Sequence, residues 1–316
     1  MKSNKHTLPT TAESWDDMKQ LLIWIQASRL PSQSYIFFPL LLGQSMAFYY
    51  KQTFDPFLFF LIHLFGLFIQ LYIVYANDYA DFEGDRENDT FNIFSGGSRV
   101  LVEGLLSKKS LKNGILTVIA GNIFLGLLFT LVYQRIFSLL FIAFSLFLLW
   151  AYSYPPFKLS YRGGGELLQA LGVSVVLPLF SYYIQGNTLS AFPWFILVIL
   201  FPIHLSCAIS TALPDEPSDQ RHQKRTMTIM RGAQTVKKWI YLLNGLSFFL
   251  LLLFPVVSLF WSLGILVLGT AFLLSMALYH NRSQPGTHGL LRFVSLNVIT
   301  VLVFVGALSA YFYFTA

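Results

Sequence analysis

The chain has 316 residues, of which 55% are hydrophobic and only 11% charged, with a formal net charge of +6. A soluble chain carries roughly 25% charged residues, so a soluble enzyme, a secreted scaffold or a disordered tail is excluded and an integral membrane protein is expected. The basic excess reports topology first, because Lys and Arg collect on the cytoplasmic side of a membrane protein, and it does not point to nucleic acid.

The first twenty residues hold Lys2, Lys5, Glu13, Asp16, Asp17 and Lys19 with no uninterrupted apolar core, which predicts a retained N-terminus and no signal peptide. Ser14 followed three residues on by Asp17 resembles a helix start, and Trp15, Met18, Leu22 and Ile25 then share one helical face. Residues 1–33 are therefore read as a cytoplasmic N-terminal segment with an amphipathic helix along the membrane surface. Residues 34–316 form a single multi-span domain.

Apolar runs in that domain predict nine spans near 34–50, 56–76, 113–133, 136–153, 166–185, 191–212, 239–257, 260–280 and 292–315. The runs lack the alternation of a β-barrel, so the fold class is all-α. With nine spans, 19 of the 21 basic residues fall on the side of the N-terminus, leaving only Lys51 and Arg135 opposite. The N-terminus is then cytoplasmic and the C-terminus external. Fourteen of the fifteen acids share the cytoplasmic side, Asp55 being the exception. Two long loops there carry most of the charge, and each opens with acids before turning basic, a faint echo of internal duplication.

The first loop begins Asn77-Asp78-Tyr79-Ala80-Asp81-Phe82-Glu83-Gly84-Asp85. A helix continued past the membrane surface would set Asp78, Asp81 and Asp85 on one stripe, with Asn77 one turn from Asp81. Three like charges on one stripe call for a cation, and oxygen ligands suit Mg²⁺. Farther along, Ser95-Gly96-Gly97-Ser98-Arg99 offers backbone N–H groups and a guanidinium to an anion. The loop around Tyr154-Pro155-Pro156-Phe157-Lys158 and Arg162 brings further basic residues to the same face. The second acidic loop holds Asp215, Glu216 and Asp219, then Arg221, Lys224 and Arg225. Two carboxylate groups joined to basic residues match what a diphosphate needs: carboxylates hold Mg²⁺, Mg²⁺ bridges phosphate oxygens, and Lys or Arg neutralises the rest. His63 and His204 lie inside spans, where interhelical hydrogen bonding is the expected role. Cys207 is the one cysteine, so no intrachain disulfide or thiolate metal site forms.

These motifs together resemble the UbiA-type superfamily of intramembrane prenyltransferases. The first aspartate motif is N-D-x-x-D-x-x-x-D at 77–85, and Pro214-Asp215-Glu216, Asp219 and Lys224-Arg225-Thr226 are similar to the second. Tyr154 to Leu159 with Arg162-Gly163 look like the middle loop, and Arg29-Leu30-Pro31 is similar to the Arg-Pro element before the first span. Two departures stand out: Gln223 where Gly is common, and Pro217 within the second motif.

The resemblance implies nine transmembrane helices around a central cavity capped by two aspartate-rich loops. It also implies transfer of a polyprenyl chain from its diphosphate to an acceptor, usually an aromatic ring carbon. On that reading Asp78, Asp81, Asp85, Asp215 and Asp219 hold Mg²⁺. Asn77, Lys158, Arg162, Lys224, Arg225, Arg99 and Arg29 serve the diphosphate. The segment Phe94 to Leu101 looks like that of the naphthoate-prenylating branch. This leans toward 1,4-dihydroxy-2-naphthoate, menaquinone synthesis and a bacterial inner membrane, with homogentisate, 4-hydroxybenzoate, a chlorophyllide or a lipid alcohol as other acceptors. A secondary transporter would set its acids near the bilayer midplane, and a CDP-alcohol phosphotransferase would gather them in one compact motif. Oligomeric state is left open.

Overall fold

A computed structural model describes residues 11–89 and 91–316, with only the backbone given for 11–16. Lys2, Lys5 and the side chains of Ser14 and Trp15, used in the sequence reading, lie outside the described residues. Among the described residues the secondary structure is helical, with a single isolated β-bridge between Asn92 and Ser95.

In chain order the α-helices are α1 Thr11–Ala27, α2 Ser34–Lys51, α3 Pro56–Ala80, α4 Phe82–Arg86, α5 Lys108–Leu131, α6 Ser138–Ser153, α7 Leu159–Arg162 and α8 Gly165–Leu171. They continue with α9 Leu177–Gly186, α10 Phe195–Ala212, α11 Glu216–Arg221, α12 Met227–Arg231, α13 Ala233–Leu253, α14 Leu259–Ala277 and α15 His288–Phe314. A π-helical stretch, Gly172–Val176, joins α8 to α9 into one apolar rod.

Local chemistry starts several of these helices. Asp55 caps α3, its side chain accepting from the N–H groups of Phe57 and Leu58 at 2.7 and 3.1 Å, with Pro56 in the first turn. Ser107 and Thr287 cap α5 and α15 in the same way.

Among the described residues, seven helices are long and apolar enough to cross a membrane: α3, α5, the α8–α9 rod, α10 extended through α11, α13, α14 and α15. The first and fourth expected spans fall on helices that do not reach that standard. α6 has 16 residues, and the apolar stretch of α2 is diluted by Gln44, Ser45, Tyr49, Tyr50 and Lys51. The seventh and eighth expected spans are separate helices, α13 ending at Leu253 and α14 starting at Leu259.

α2 packs against α9 and α15, α3 against α5, and α10 against α13. The α2–α9 contact is so close that a Cβ on Gly43 would stand 2.0 Å from Ser181 Oγ and 2.3 Å from the Pro178 carbonyl oxygen; small residues let membrane helices approach in this way. Some polar groups inside the bundle pair across helices. Asn244 on α13 donates to Asn297 Oδ1 on α15 at 2.9 Å, and Asn297 donates to Ser210 Oγ on α10 at 2.8 Å.

Opposite the acidic loops, Lys51 bonds Ser190, and Asp55 and Gln185 exchange hydrogen bonds through backbone and side-chain amide. At the acidic end, Met18, Leu21, Leu22 and Ile25 of α1 stand exposed in a stripe. Ile23 and Trp24 of the same helix pack onto the cluster of Tyr75, Leu111 and Ile115.

Candidate functional site

The two acidic segments lie about 130 residues apart in sequence and meet at one end of the bundle. α3 ends at Ala80, Asp81 caps it in a non-helical conformation, and α4 starts afresh at Phe82. The helix expected through Asp85 is interrupted only at Asp81: the Asp81 N–H still bonds the Asn77 carbonyl and the Asp85 N–H the Asp81 carbonyl, each at 2.8 Å, and the charges of Asp78 and Asp81 act on Asp85. The break turns α4 onto α11, where the Ser218 hydroxyl donates to the Gly84 carbonyl at 3.4 Å. Arg221 pairs with Asp89 at 3.3 Å, and His222 lies 3.4 Å from Glu87, tightening the same contact. In the second motif Pro217 sits in the first turn of α11, a position that tolerates a missing N–H, so it starts that helix.

Lys224 joins the two clusters. Its ammonium lies 3.3 Å from Asp81 and 3.2 Å from Asp219, and Asn77 donates to the same Asp81 oxygen at 3.0 Å. Burial would lower the Lys224 pKa, but the charges of Asp81 and Asp219 outweigh it and hold the group protonated. Ser95 reaches from the first loop to the second, its hydroxyl donating to Asp215 Oδ1 at 2.5 Å while Asn88 donates to Ser95 Oγ at 2.9 Å.

Asp78 is fully engaged. Arg29 and the Ser98 hydroxyl donate to its two oxygens, and the Ser98 N–H lies 3.2 and 3.3 Å from them. Asp85 is the opposite case: among the described residues no group donates to its carboxylate. Burial, then the charges of Asp81 and Asp78, push its pKa up to about 7. Gly97 passes beside it with φ +70°, and a Cβ there would stand 2.2 Å from Asp85 Oδ2, so glycine meets both the backbone and the space requirement.

The expected basic residues divide into two groups. Arg29 and Lys224 touch the carboxylates. Arg99 donates to the Asp85 carbonyl and lies 4.5 Å from the centre of the Phe91 ring. Lys158 stands 3.5 Å from the centre of the Tyr161 ring, and Lys224 4.7 Å from it. Arg162 and Arg225 are exposed; the first donates to the Pro156 carbonyl at 2.6 Å, and only the backbone N–H of the second, which bonds the Tyr161 carbonyl, faces inward. The structure does not bring these two side chains onto the carboxylates.

Tyr161, Ser95 and Ser98 are the side chains the sequence reading passed over. Tyr161 had a signal in its place three residues after Lys158, but the serines were read only for their backbone.

Among the described residues, three of the five carboxylates, Asp78, Asp81 and Asp219, are in ionic contact with two cations, Arg29 and Lys224, and Asp85 and Asp215 with none. That leaves an excess of negative charge on hard oxygen ligands, which suits a divalent cation of the Mg²⁺ type. Among the described residues no three acidic, His or Cys side chains close into a ready metal cage. Mg²⁺ usually keeps several waters and takes phosphate oxygens to complete its shell, so an open half-site fits it.

The sequence matches the UbiA prenyltransferase family over residues 36–298, and the chain belongs to that family. Its fold is similar to that of a UbiA homolog from Archaeoglobus fulgidus solved bound to DMAPP and Mg²⁺, with a TM-score of 0.66 and 16% identity over 91% of this chain and 98% of that one. A UbiA homolog from Aeropyrum pernix K1 is similar at a TM-score of 0.62 and 14% identity, over 84% and 94% of the two chains. A structure from work on digeranylgeranylglyceryl phosphate synthase in membranes is also similar, at a TM-score of 0.62 and 16% identity over 93% and 99%. No curated protein matches the sequence.

Proposed function

We propose that this protein transfers a polyprenyl chain from its diphosphate to an aromatic acceptor at the membrane, with 1,4-dihydroxy-2-naphthoate as the acceptor and menaquinone biosynthesis as the setting. One observation carries the reading: two acidic loops meet around Lys224 with more carboxylates than cations, Asp85 having no donor of its own among the described residues. A site with surplus negative charge receives a diphosphate only together with divalent metal, and the Archaeoglobus homolog is bound to DMAPP and Mg²⁺.

In this proposal Asp81, Asp85, Asp215 and Asp219, with Asn77 in support, hold Mg²⁺. The metal, when bound, would supply positive charge to the departing diphosphate. Lys224, Arg29 and Lys158 complete the neutralisation, acting through fixed electrostatics. The allylic C–O bond breaks, the electron pair leaves with the diphosphate, and the prenyl carbocation is taken by an acceptor ring carbon that then loses its proton. Arg99 steadies the turn that carries Asp85, while Arg162 and Arg225 form a basic rim that meets incoming anions.

The basic residues gathered at the acidic end favour a cytoplasmic N-terminus and an external C-terminus, and the proposed menaquinone setting goes with a bacterial inner membrane. The acceptor assignment rests on Ser95-Gly96-Gly97-Ser98-Arg99 and its neighbours. Purified protein in nanodiscs, given a labelled polyprenyl diphosphate, Mg²⁺ and a panel of acceptors, should form prenylated naphthoate. Transfer to 4-hydroxybenzoate, homogentisate or a lipid alcohol instead would replace the acceptor and keep the chemistry.

A further inference from the structure

We propose that Asp78 is a positioning residue, the anchor that seats the Ser95–Arg99 segment across the acidic site, and is not itself a metal ligand. The proposal rests on the metal–diphosphate reading above and refines it. A carboxylate has about four lone-pair directions. At Asp78 they are met by Arg29, the Ser98 hydroxyl and the Ser98 N–H, which bridges both oxygens. The side chain is 4% exposed. To ligate a metal it would have to shed these charge-assisted bonds inside a buried site, leaving the Arg29 guanidinium without its partner.

The other four carboxylates stand differently. Among the described residues Asp85 has no donor, Asp215 has one hydroxyl, and Asp81 and Asp219 share an ammonium, a mobile point charge, with the Asn77 amide also donating to Asp81.

What the anchor holds gives it a function. Ser98 is gripped by Asp78 on one side, and its carbonyl accepts from Gln26 of α1 at 2.9 Å on the other. The next residue sends its guanidinium to the Asp85 carbonyl, and the preceding Gly97 is laid against the Asp85 carboxylate. Three residues before Ser98, Ser95 reaches Asp215. The segment is a strap from the first cluster to the second, and its Asp78 end sets how far apart Asp85 and Asp215 stand. Releasing that end moves the ligands without removing one.

The test compares Asp78→Asn, Ser98→Ala and Ser98→Thr with Asp81→Asn in full-length protein in nanodiscs. Mn²⁺ binding with inorganic diphosphate is followed by electron paramagnetic resonance, hydrogen exchange of residues 92–100 by mass spectrometry, and turnover by kcat and KM. Asp78→Asn and Ser98→Ala should keep Mn²⁺ affinity within about threefold, speed exchange of 92–100, and lower kcat by about 10–100-fold, the scale of supporting residues around a metal site. Ser98→Thr, which keeps the hydroxyl, should restore turnover and protection. Asp81→Asn should lose Mn²⁺ with exchange of 92–100 unchanged. Loss of Mn²⁺ in Asp78→Asn equal to that in Asp81→Asn, with Ser98→Ala unaffected, would overturn the positioning role. Undiminished Mn²⁺ binding in Asp81→Asn would overturn it through the site reading beneath it.

Discussion

The Ser95 hydroxyl donates to Asp215 Oδ1 at 2.5 Å, joining two loops whose residues are 120 positions apart. Through this contact and the Lys224 bridge, the acidic loops form one site. The first consequence concerns Lys224. Lys224→Met leaves Asp81 and Asp219 facing each other across a buried gap, so the metal-free protein should lose about 3–5 kcal/mol of stability. Mg²⁺ with diphosphate should return part of it. Thermal unfolding in detergent, with and without both ligands, reads the effect.

Asp85 gives part of the pH dependence, alongside Asp219, which burial pushes up to about 7, and Asp215, which burial also raises. Below about pH 4 its carboxyl is protonated whether folded or unfolded, and well above pH 7 it is charged in both states. Between these limits the folded protein holds a proton that the unfolded chain has lost, since burial and Asp81 push its pKa up to about 7. Its contribution to metal-free stability therefore falls as pH rises from 4 to 7. Metal binding needs the charged form, so Mg²⁺–diphosphate affinity should climb as pH rises through 7, with proton release. In Asp85→Asn the dependence on this group should vanish, which titration calorimetry in two buffers of different ionisation enthalpy checks.

Two glycines with the same φ separate space from backbone strain. Gly97 and Gly104 both have φ +70°, but a Cβ on Gly97 meets Asp85 Oδ2 at 2.2 Å and Arg29 Nη2 at 3.1 Å, whereas one on Gly104 meets nothing within 4 Å. Gly104→Ala should cost at most about 1.5 kcal/mol, the left-handed penalty of about 1–2 kcal/mol less about 0.5–1 kcal/mol of unfolded-chain entropy, and leave turnover unchanged. Gly97→Ala should carry that cost and lose most turnover, because the added methyl displaces Asp85.

Gln223 holds φ +53° beside Lys224, without the glycine common at that motif position. Gln223→Gly removes a left-handed penalty of about 1–2 kcal/mol and adds about 0.5–1 kcal/mol of unfolded-chain entropy. The net should be a gain of up to about 1.5 kcal/mol, visible as a modest rise in Tm.

The all-helical membrane class and most helix positions are legible because apolar runs and polar breaks are local signals, as Asp55-Pro56 at the head of α3 illustrates. The two acidic motifs are legible as residues for the same reason. Their geometry is not. The break at Asp81 depends on α4 turning to meet α11, and the grip of Ser98 on Asp78 depends on where the chain returns twenty residues later. Arg162 and Arg225 show the limit of counting charge, since nearness in sequence to Lys158 and Lys224 does not decide which way a side chain points. Tyr161 is set between those two lysines by a long-range contact, the Arg225 N–H bonding the Tyr161 carbonyl at 2.8 Å.

The most direct measurement is prenyl transfer from a labelled polyprenyl diphosphate by the wild-type chain, Asp81→Asn and Asp215→Asn, with folding checked by thermal unfolding. A two-cluster metal–diphosphate site predicts turnover in the wild type that EDTA abolishes and Mg²⁺ restores. It also predicts a fall of at least about 10²-fold in each variant with the folded fraction unchanged. Full turnover in either variant, or transfer that survives EDTA, would contradict it.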